Sequence, residues 1–258
     1  MFMPIGDENV IRRTPWVNYG LIIANTIVFF TILLYPGIVG AKTLEDAIWV
    51  LGVKPYQLAQ GRELWTIFTS MFMHAGIIHL LGNMWFLAIF GDNIEAIMGH
   101  LRYLVFYLLS GIGATIFHLL SIALMPPSAL LNQAYASLNP WTVPAVGASG
   151  AISGVLGAYI LTYPNSRVRV FAFWFLLPVT MVIPASLYIG FWFLFQLFMG
   201  FWTLTGVPTG VAYWAHVGGF ITGMGLTYFF ADKKLIRIVK SYLYGRFIGF
   251  GWGRGEWG

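Results

Sequence analysis

Ser149 is the residue from which chemistry can be argued. It stands in Gly147-Ala148-Ser149-Gly150-Ala151-Ile152-Ser153-Gly154, where a loop turns into an apolar segment. A serine becomes a nucleophile when a base takes its proton. His216, inside Ala215-His216-Val217-Gly218-Gly219, is the base the sequence offers. His74, His79 and Asn83 open a third apolar segment. His79 and Asn83 are i and i+4 on one helical face, so both can donate toward one point. The nine carboxylates are Asp7, Glu8, Glu45, Asp46, Glu63, Asp92, Glu95, Asp232 and Glu256, and none is placed to join Ser149 and His216. The expected chemistry is acyl transfer to Ser149 with His216 as base, a dyad without an acidic third member, followed by hydrolysis. Preorganised donors for an oxyanion would come from the free N–H groups where the Ser149 helix begins.

Each of these features also has a plainer explanation. A run of small residues such as Gly147–Gly154 more often marks helix packing than catalysis. A lone His216 within a span can be a structural hydrogen-bonder or a proton relay. His79 with Asn83 can be glue between helices, and His74 a supporting residue at the interface. A metal held by His74, His79 and His216 is poorly served, because no carboxylate or cysteine joins them and a spacing of five does not put two ligands on one helical face. No metal and no cofactor is therefore expected.

The elements that must position these residues are membrane spans. The chain is 59% hydrophobic and 9% charged with mean hydropathy +0.77, against about 25% charged in a soluble domain. Such a chain cannot cover a surface in water and reads as an integral membrane protein. The absence of cysteine excludes disulfides, thiolate catalysis and cysteine-held metal. The basic residues flank apolar runs and form no aromatic-interleaved patch, so no nucleic-acid partner is expected.

Six spans are predicted: 17–39, 77–98, 103–125, 149–163, 185–204 and 211–231. The fold class is an all-α membrane bundle. Residues 1–14 form a cytoplasmic lead, 15–232 the membrane domain and 233–258 a basic cytoplasmic tail. The first run, ending at Tyr35-Pro36, reads as a retained span and not a cleaved signal. Residues 40–73 are too charged to span and too apolar to float free, which predicts short interfacial helices; Thr43 with Asp46 resembles a capping box. Residues 126–146 form an uncharged loop. Segment 168–184 is apolar but broken by Pro178 and Pro184, and reads as an interfacial hairpin or kinked piece. A seventh span there would carry the basic C-terminal segment across the membrane. With six, eleven of the fourteen basic residues share the cytoplasmic side with both termini.

Depth ties the polar residues together. At ~1.5 Å per residue, Ser149 lies roughly 21 Å from the cytoplasmic end of its span, His216 and His79 roughly 24 Å and Asn83 roughly 18 Å. In a core ~30 Å thick all four fall in one layer. The 149–163 span is too short to cross alone, so its N-terminus lies inside the membrane, beside an aqueous cavity that opens outward. Ala215, Gly219 and Gly223 repeat every four residues, as do Gly150 and Gly154, which lets the fourth and sixth spans approach closely.

Together, His74-x4-His79-x3-Asn83, Gly147-x-Ser149-Gly150 and Ala215-His216-x2-Gly219-x3-Gly223 resemble the rhomboid family of intramembrane serine proteases, in its prokaryotic six-span form. The resemblance covers about residues 15–232. It implies Ser149 as nucleophile, His216 as general base, and an oxyanion hole from the Ser149 N–H, His79 and Asn83, with His74, Gly147, Gly150 and Gly219 in support. The implied partners are a lipid bilayer and protein substrates that span it, in a multi-pass cell-membrane protein whose site opens outward. Two departures stand out. Many members carry Tyr four residues after the serine, stacked on the base, where this chain has Ser153; support for the base must come from elsewhere. Many have Trp-Arg in the first long loop, where Trp65 is followed by Thr66. Two other classes compete with an endopeptidase: a catalytically silent rhomboid-like factor that binds client helices, and a transporter or proton relay built on the histidines. The last lacks intramembrane carboxylates and paired repeats.

Overall fold

The structure is a computed structural model and describes residues 3–7, 13–126, 139–175, 177–207 and 209–248. Most of the predicted 126–146 loop, Arg12, and the Gly/Trp-rich end with Arg254 lie outside the described residues. Long apolar helices dominate. They are α1 (Trp16–Leu34), α2 (Ile77–Met98), α3 (His100–Ala123), α4 (Ser149–Thr162), α5 (Ala185–Thr203) and α6 (Tyr213–Phe230), followed by the basic α7 (Lys233–Ile248). Of these, α1, α2, α3 and α5 are long and apolar enough to cross a membrane by themselves. Their outer faces carry side chains such as Ile23, Ile27, Phe191, Phe195 and Phe198, all exposed. A chain with several such helices is a multi-pass membrane protein.

Proline and glycine set the boundaries. α1 starts after Pro15 and stops at Tyr35, before Pro36, as the restriction on a pre-proline residue dictates. Its end lies short of the predicted 39 because Pro36–Val39 forms a 3-10 turn. Gly99, at φ +79°, is the single-residue joint between α2 and α3. α4 is the axis of the bundle. It packs against α2, α3, α5 and α6, and eleven of its fourteen residues are buried. Small residues make this possible. A Cβ on Gly219 would fall on the Gly150 carbonyl, one on Gly223 on the Gly154 backbone, and one on Gly157 on the Phe220 carbonyl. α3 joins the same seam, with Ala114 and Ser110 seated over Gly150 and Gly154.

The expectation of an all-α protein needs correction. Arg167–Trp174 (β2) and Leu177–Pro184 (β3) form an antiparallel hairpin, and Met3–Gly6 (β1) pairs with β2 to give a three-stranded sheet in the order β1-β2-β3. The residues explain it. Val168, Val170 and Ala172 are buried at period two, the strand signature. Pro178 and Pro184 sit on β3, an edge strand, where a missing donor is tolerated. The lead at 1–14 is thus partly a strand, and the tail at 233–258 is helical to Ile248. Val239 and Leu243 of α7 are buried in the core, and Asp232 caps its first turn by accepting from Lys234 N at 2.7 Å.

Residues 40–73 hold short helices at Leu44–Leu51, Pro55–Ala59 and Thr66–Thr69. The Thr43–Asp46 capping box is present in both directions. At the opposite end of the bundle, buried Glu95 accepts from Val17 N at 3.0 Å and Asn18 N at 2.7 Å, and so caps α1. Glu95 also bonds His100. Asp232 N donates to Ile97 O at 2.9 Å, so the ends of α2 and α6 meet in one layer.

Candidate active site

Three loop contacts fix where α4 begins. Val53 and Ala145 exchange backbone hydrogen bonds of 2.9 and 2.8 Å, Tyr56 N donates to Trp141 O at 2.8 Å, and Gly147 N donates to Ser70 O at 2.9 Å. The 139–147 segment is thereby tied to the first long loop, without the Trp-Arg pair. Gly147 has φ +128°, and a Cβ there would sit 2.8 Å from the His79 ring. Glycine is needed for both reasons. Ser149 follows as the first residue of α4, where the amides of the opening turn have no partner within the helix.

The Ser149 hydroxyl oxygen is 2.8 Å from Nε2 of His216, a normal hydrogen-bond distance between residues 67 apart in the chain. The other ring nitrogen, Nδ1, is 2.8 Å from Oε1 of Gln196 on α5. With the ring proton on Nδ1 facing that oxygen, Nε2 is left to accept from the serine. Trp192 on α5 lies tilted against the imidazole at 6.2 Å between centroids, and Tyr213 meets it edge-on at 6.3 Å. Ser153, where a stacking tyrosine might stand, instead donates to the Ser149 carbonyl at 2.6 Å, within its own helix.

His79 and Asn83 face the same space. Ala75 N donates to His79 Nδ1 at 3.4 Å, which leaves Nε2 to carry the ring proton on the side of Gly147 and Ser149. Asn83 Nδ2 is buried and makes no hydrogen bond among the described residues. Ser149, His216, His79, Asn83, Gly147 and Gly150 all line one cavity of about 640 Å³, and no carboxylate lines it among the described residues. His74 does not reach the cavity; buried, it packs edge-on against His79 at 5.1 Å. Gly219 supports from behind, through Gly150. His118 of α3 is also on the cavity wall. Gln196 and Trp192 were not foreseen from the sequence. The signal was there, since Gln196 is the one amide side chain on α5 and stands amid apolar and aromatic residues, and a polar group inside a span is a functional suspect.

Residues 61–233 match the family described as the rhomboid domain. The chain belongs to the rhomboid family. Among curated relatives, this rhomboid is 32% identical over 177 residues to RHOMBOID-like protein 6, mitochondrial, of Arabidopsis thaliana, covering 66% of this chain and 45% of that one. It is 29% identical over 153 residues to Rhomboid protease GluP of Bacillus subtilis, covering 59% of this chain and 26% of the relative. It is 27% identical over 141 residues to Rhomboid protease AarA of Providencia stuartii, covering 55% and 48%. The rhomboid described here spans less than half the length of each of these relatives.

Proposed function

We propose that this rhomboid is an intramembrane serine endopeptidase that hydrolyses peptide bonds in or near the transmembrane segments of other proteins. One observation carries the reading: the 2.8 Å contact between Ser149 Oγ and His216 Nε2, inside a cavity walled by apolar helices. In this reading Ser149 Oγ attacks the scissile carbonyl as His216 Nε2 takes its proton. The developing oxyanion is met by the Ser149 N–H, His79 Nε2–H and Asn83 Nδ2–H. His216 then passes its proton to the leaving amine; water entering the cavity attacks the acyl-serine as His216 takes its proton, and His216 returns that proton to Ser149 Oγ as the ester bond breaks. Each oxyanion donor in such a site is worth about 10²–10³ in rate. An acyl-transfer site also needs an extended substrate backbone, because helical carbonyls are already engaged in hydrogen bonds. A substrate segment that unwinds readily is therefore favoured.

Six spans account best for the membrane placement, with α4 and α6 completing the set begun by α1, α2, α3 and α5. α4, at ~21 Å, is shorter than the ~30 Å hydrocarbon core, so Ser149 lies below the outer surface and the cavity opens outward. Arg13, Arg102, Arg167, Arg169, Lys233, Lys234, Arg237 and Lys240 all flank the other end of the spans, which supports cytoplasmic termini.

A serine-reactive fluorophosphonate tests the nucleophile directly. The reading expects labelling of the reconstituted protein that disappears in Ser149→Ala and in His216→Ala. No labelling of any of the three would favour a silent factor that binds client helices, and equal labelling of all three would mean that the reactive nucleophile is not Ser149.

A further inference from the structure

α5 carries Gln196 near the middle of a span, 5% exposed, among phenylalanines and leucines. An amide buried without partners in such surroundings costs several kcal/mol, so its hydrogen bond decides what it is for. That bond runs to His216 Nδ1, 20 residues later and on the neighbouring helix. Trp192 stands one turn before Gln196 on the same face of α5 and lies against the same imidazole. One turn after it, the Gly200 carbonyl accepts from Trp214 Nε1 at 2.8 Å, which locks α5 to the start of α6 two residues before His216. The face of α5 that meets the base is thus held in register on both sides of the amide.

We propose that Gln196 is the positioning residue of the His216 base, an inference that rests on the hydrolytic reading of the site. Its amide oxygen accepts from Nδ1–H. This fixes the tautomer in which the Nε2 lone pair faces Ser149 Oγ, and it stops the ring from turning away. In the opposite tautomer Nε2 would carry the proton and could not take another from the serine. A neutral amide does this without placing a charge in the membrane, where a buried carboxylate would be costly. Trp192 supplies the lateral contact, in place of a ring at position 153. The result is a line of Ser149, His216 and Gln196 in which the third group orients the base and takes no proton.

The test uses the full-length chain in proteoliposomes, with histidine labelled by ¹⁵N and with cleavage kinetics on a membrane-embedded reporter. The ¹⁵N shifts of His216, assigned by their loss in His216→Ala, report the tautomer whether or not the protein cleaves anything. The expected result is a proton on Nδ1 in the parent and a mixture of tautomers in Gln196→Leu. Gln196→Leu should lower kcat about 10–100-fold with KM unchanged. Gln196→Glu, which keeps an acceptor oxygen, should restore kcat to within a few-fold of the parent. A purely packing role for Gln196 predicts the reverse order, with leucine harmless and glutamate harmful, and no change of tautomer. A parent His216 protonated on Nε2, or unchanged in Gln196→Leu, would overturn the proposal. A parent with the expected tautomer that cleaves nothing would sustain the positioning role and count instead against the endopeptidase reading.

Discussion

At the scale of single residues, the site combines groups whose positions are expensive to maintain. Asn83 keeps a buried donor unbonded among the described residues, and Gly147 holds a backbone conformation that side chains disfavour. Both are explained if the space they face receives a developing negative charge. Asn83→Ala and His79→Ala should each lower kcat about 100–1000-fold and change KM little, because these donors act on the transition state; single-turnover cleavage kinetics check this. Gly147→Ala should do similar harm by forcing the His79 ring away, with about 1–3 kcal/mol of strain in the turn. Ser149, His216, His79 and Asn83 were legible in the sequence because polar groups inside apolar spans are conspicuous and their depths agree. Gln196 obeys the same rule but is less conspicuous, because a single uncharged amide among aromatic residues stands out less than a histidine or a carboxylate.

At the scale of elements, the close approach of α4 to α3 and α6 is what brings Ser149 to His216. Gly219 makes the point sharply, because any side chain there meets the Gly150 carbonyl one residue from the serine. Gly219→Val should lower the unfolding free energy by about 1–3 kcal/mol or more and abolish fluorophosphonate labelling. Gly225, on the same helix, has open space where a Cβ would go; Gly225→Ala should raise stability by about 0.5–1 kcal/mol and leave labelling intact. Thermal unfolding in detergent and labelling intensity decide both. The helices were legible because Pro36, Gly99, Gly147 and Pro184 punctuate them. The β2–β3 hairpin was harder. The sequence reads 168–184 as an interfacial hairpin or kinked piece without choosing between them, because the period-two burial of Val168, Val170 and Ala172 that marks a strand occupies a handful of residues.

At the scale of the whole molecule, the N-terminal strand ties the sheet to the far end of α4. Asp7 just after β1 accepts from Tyr159 at 2.6 Å and from Asn93 at 2.8 Å. Burial pushes its carboxyl up to about 7 from the ordinary 3.8. Nearby Asp92 adds to the rise, while the hydrogen bonds from Tyr159 and Asn93 work the other way. A carboxyl with a raised folded pKa stays protonated in the native state after the unfolded chain has ionised. Stability contributed by this group is therefore lost as pH rises from about 4 to about 7, and the loss levels off above that. Melting temperature in detergent should fall across this window in the parent and fall less in Asp7→Asn. Parallel curves for the two proteins would contradict the assignment. No sequence pattern announced this contact, which joins residues 152 apart and depends on how the sheet docks. The membrane class, by contrast, followed from composition, because 9% charged residues cannot clothe a soluble surface.

The central claim, that Ser149 is the nucleophile of an intramembrane hydrolysis, is tested most directly by cleavage of a reporter whose transmembrane segment is embedded in the same proteoliposomes. The parent should cleave within the segment or at its outer end, and Ser149→Ala should lose at least about 10³-fold of that activity. Cleavage that persists undiminished in Ser149→Ala would contradict it.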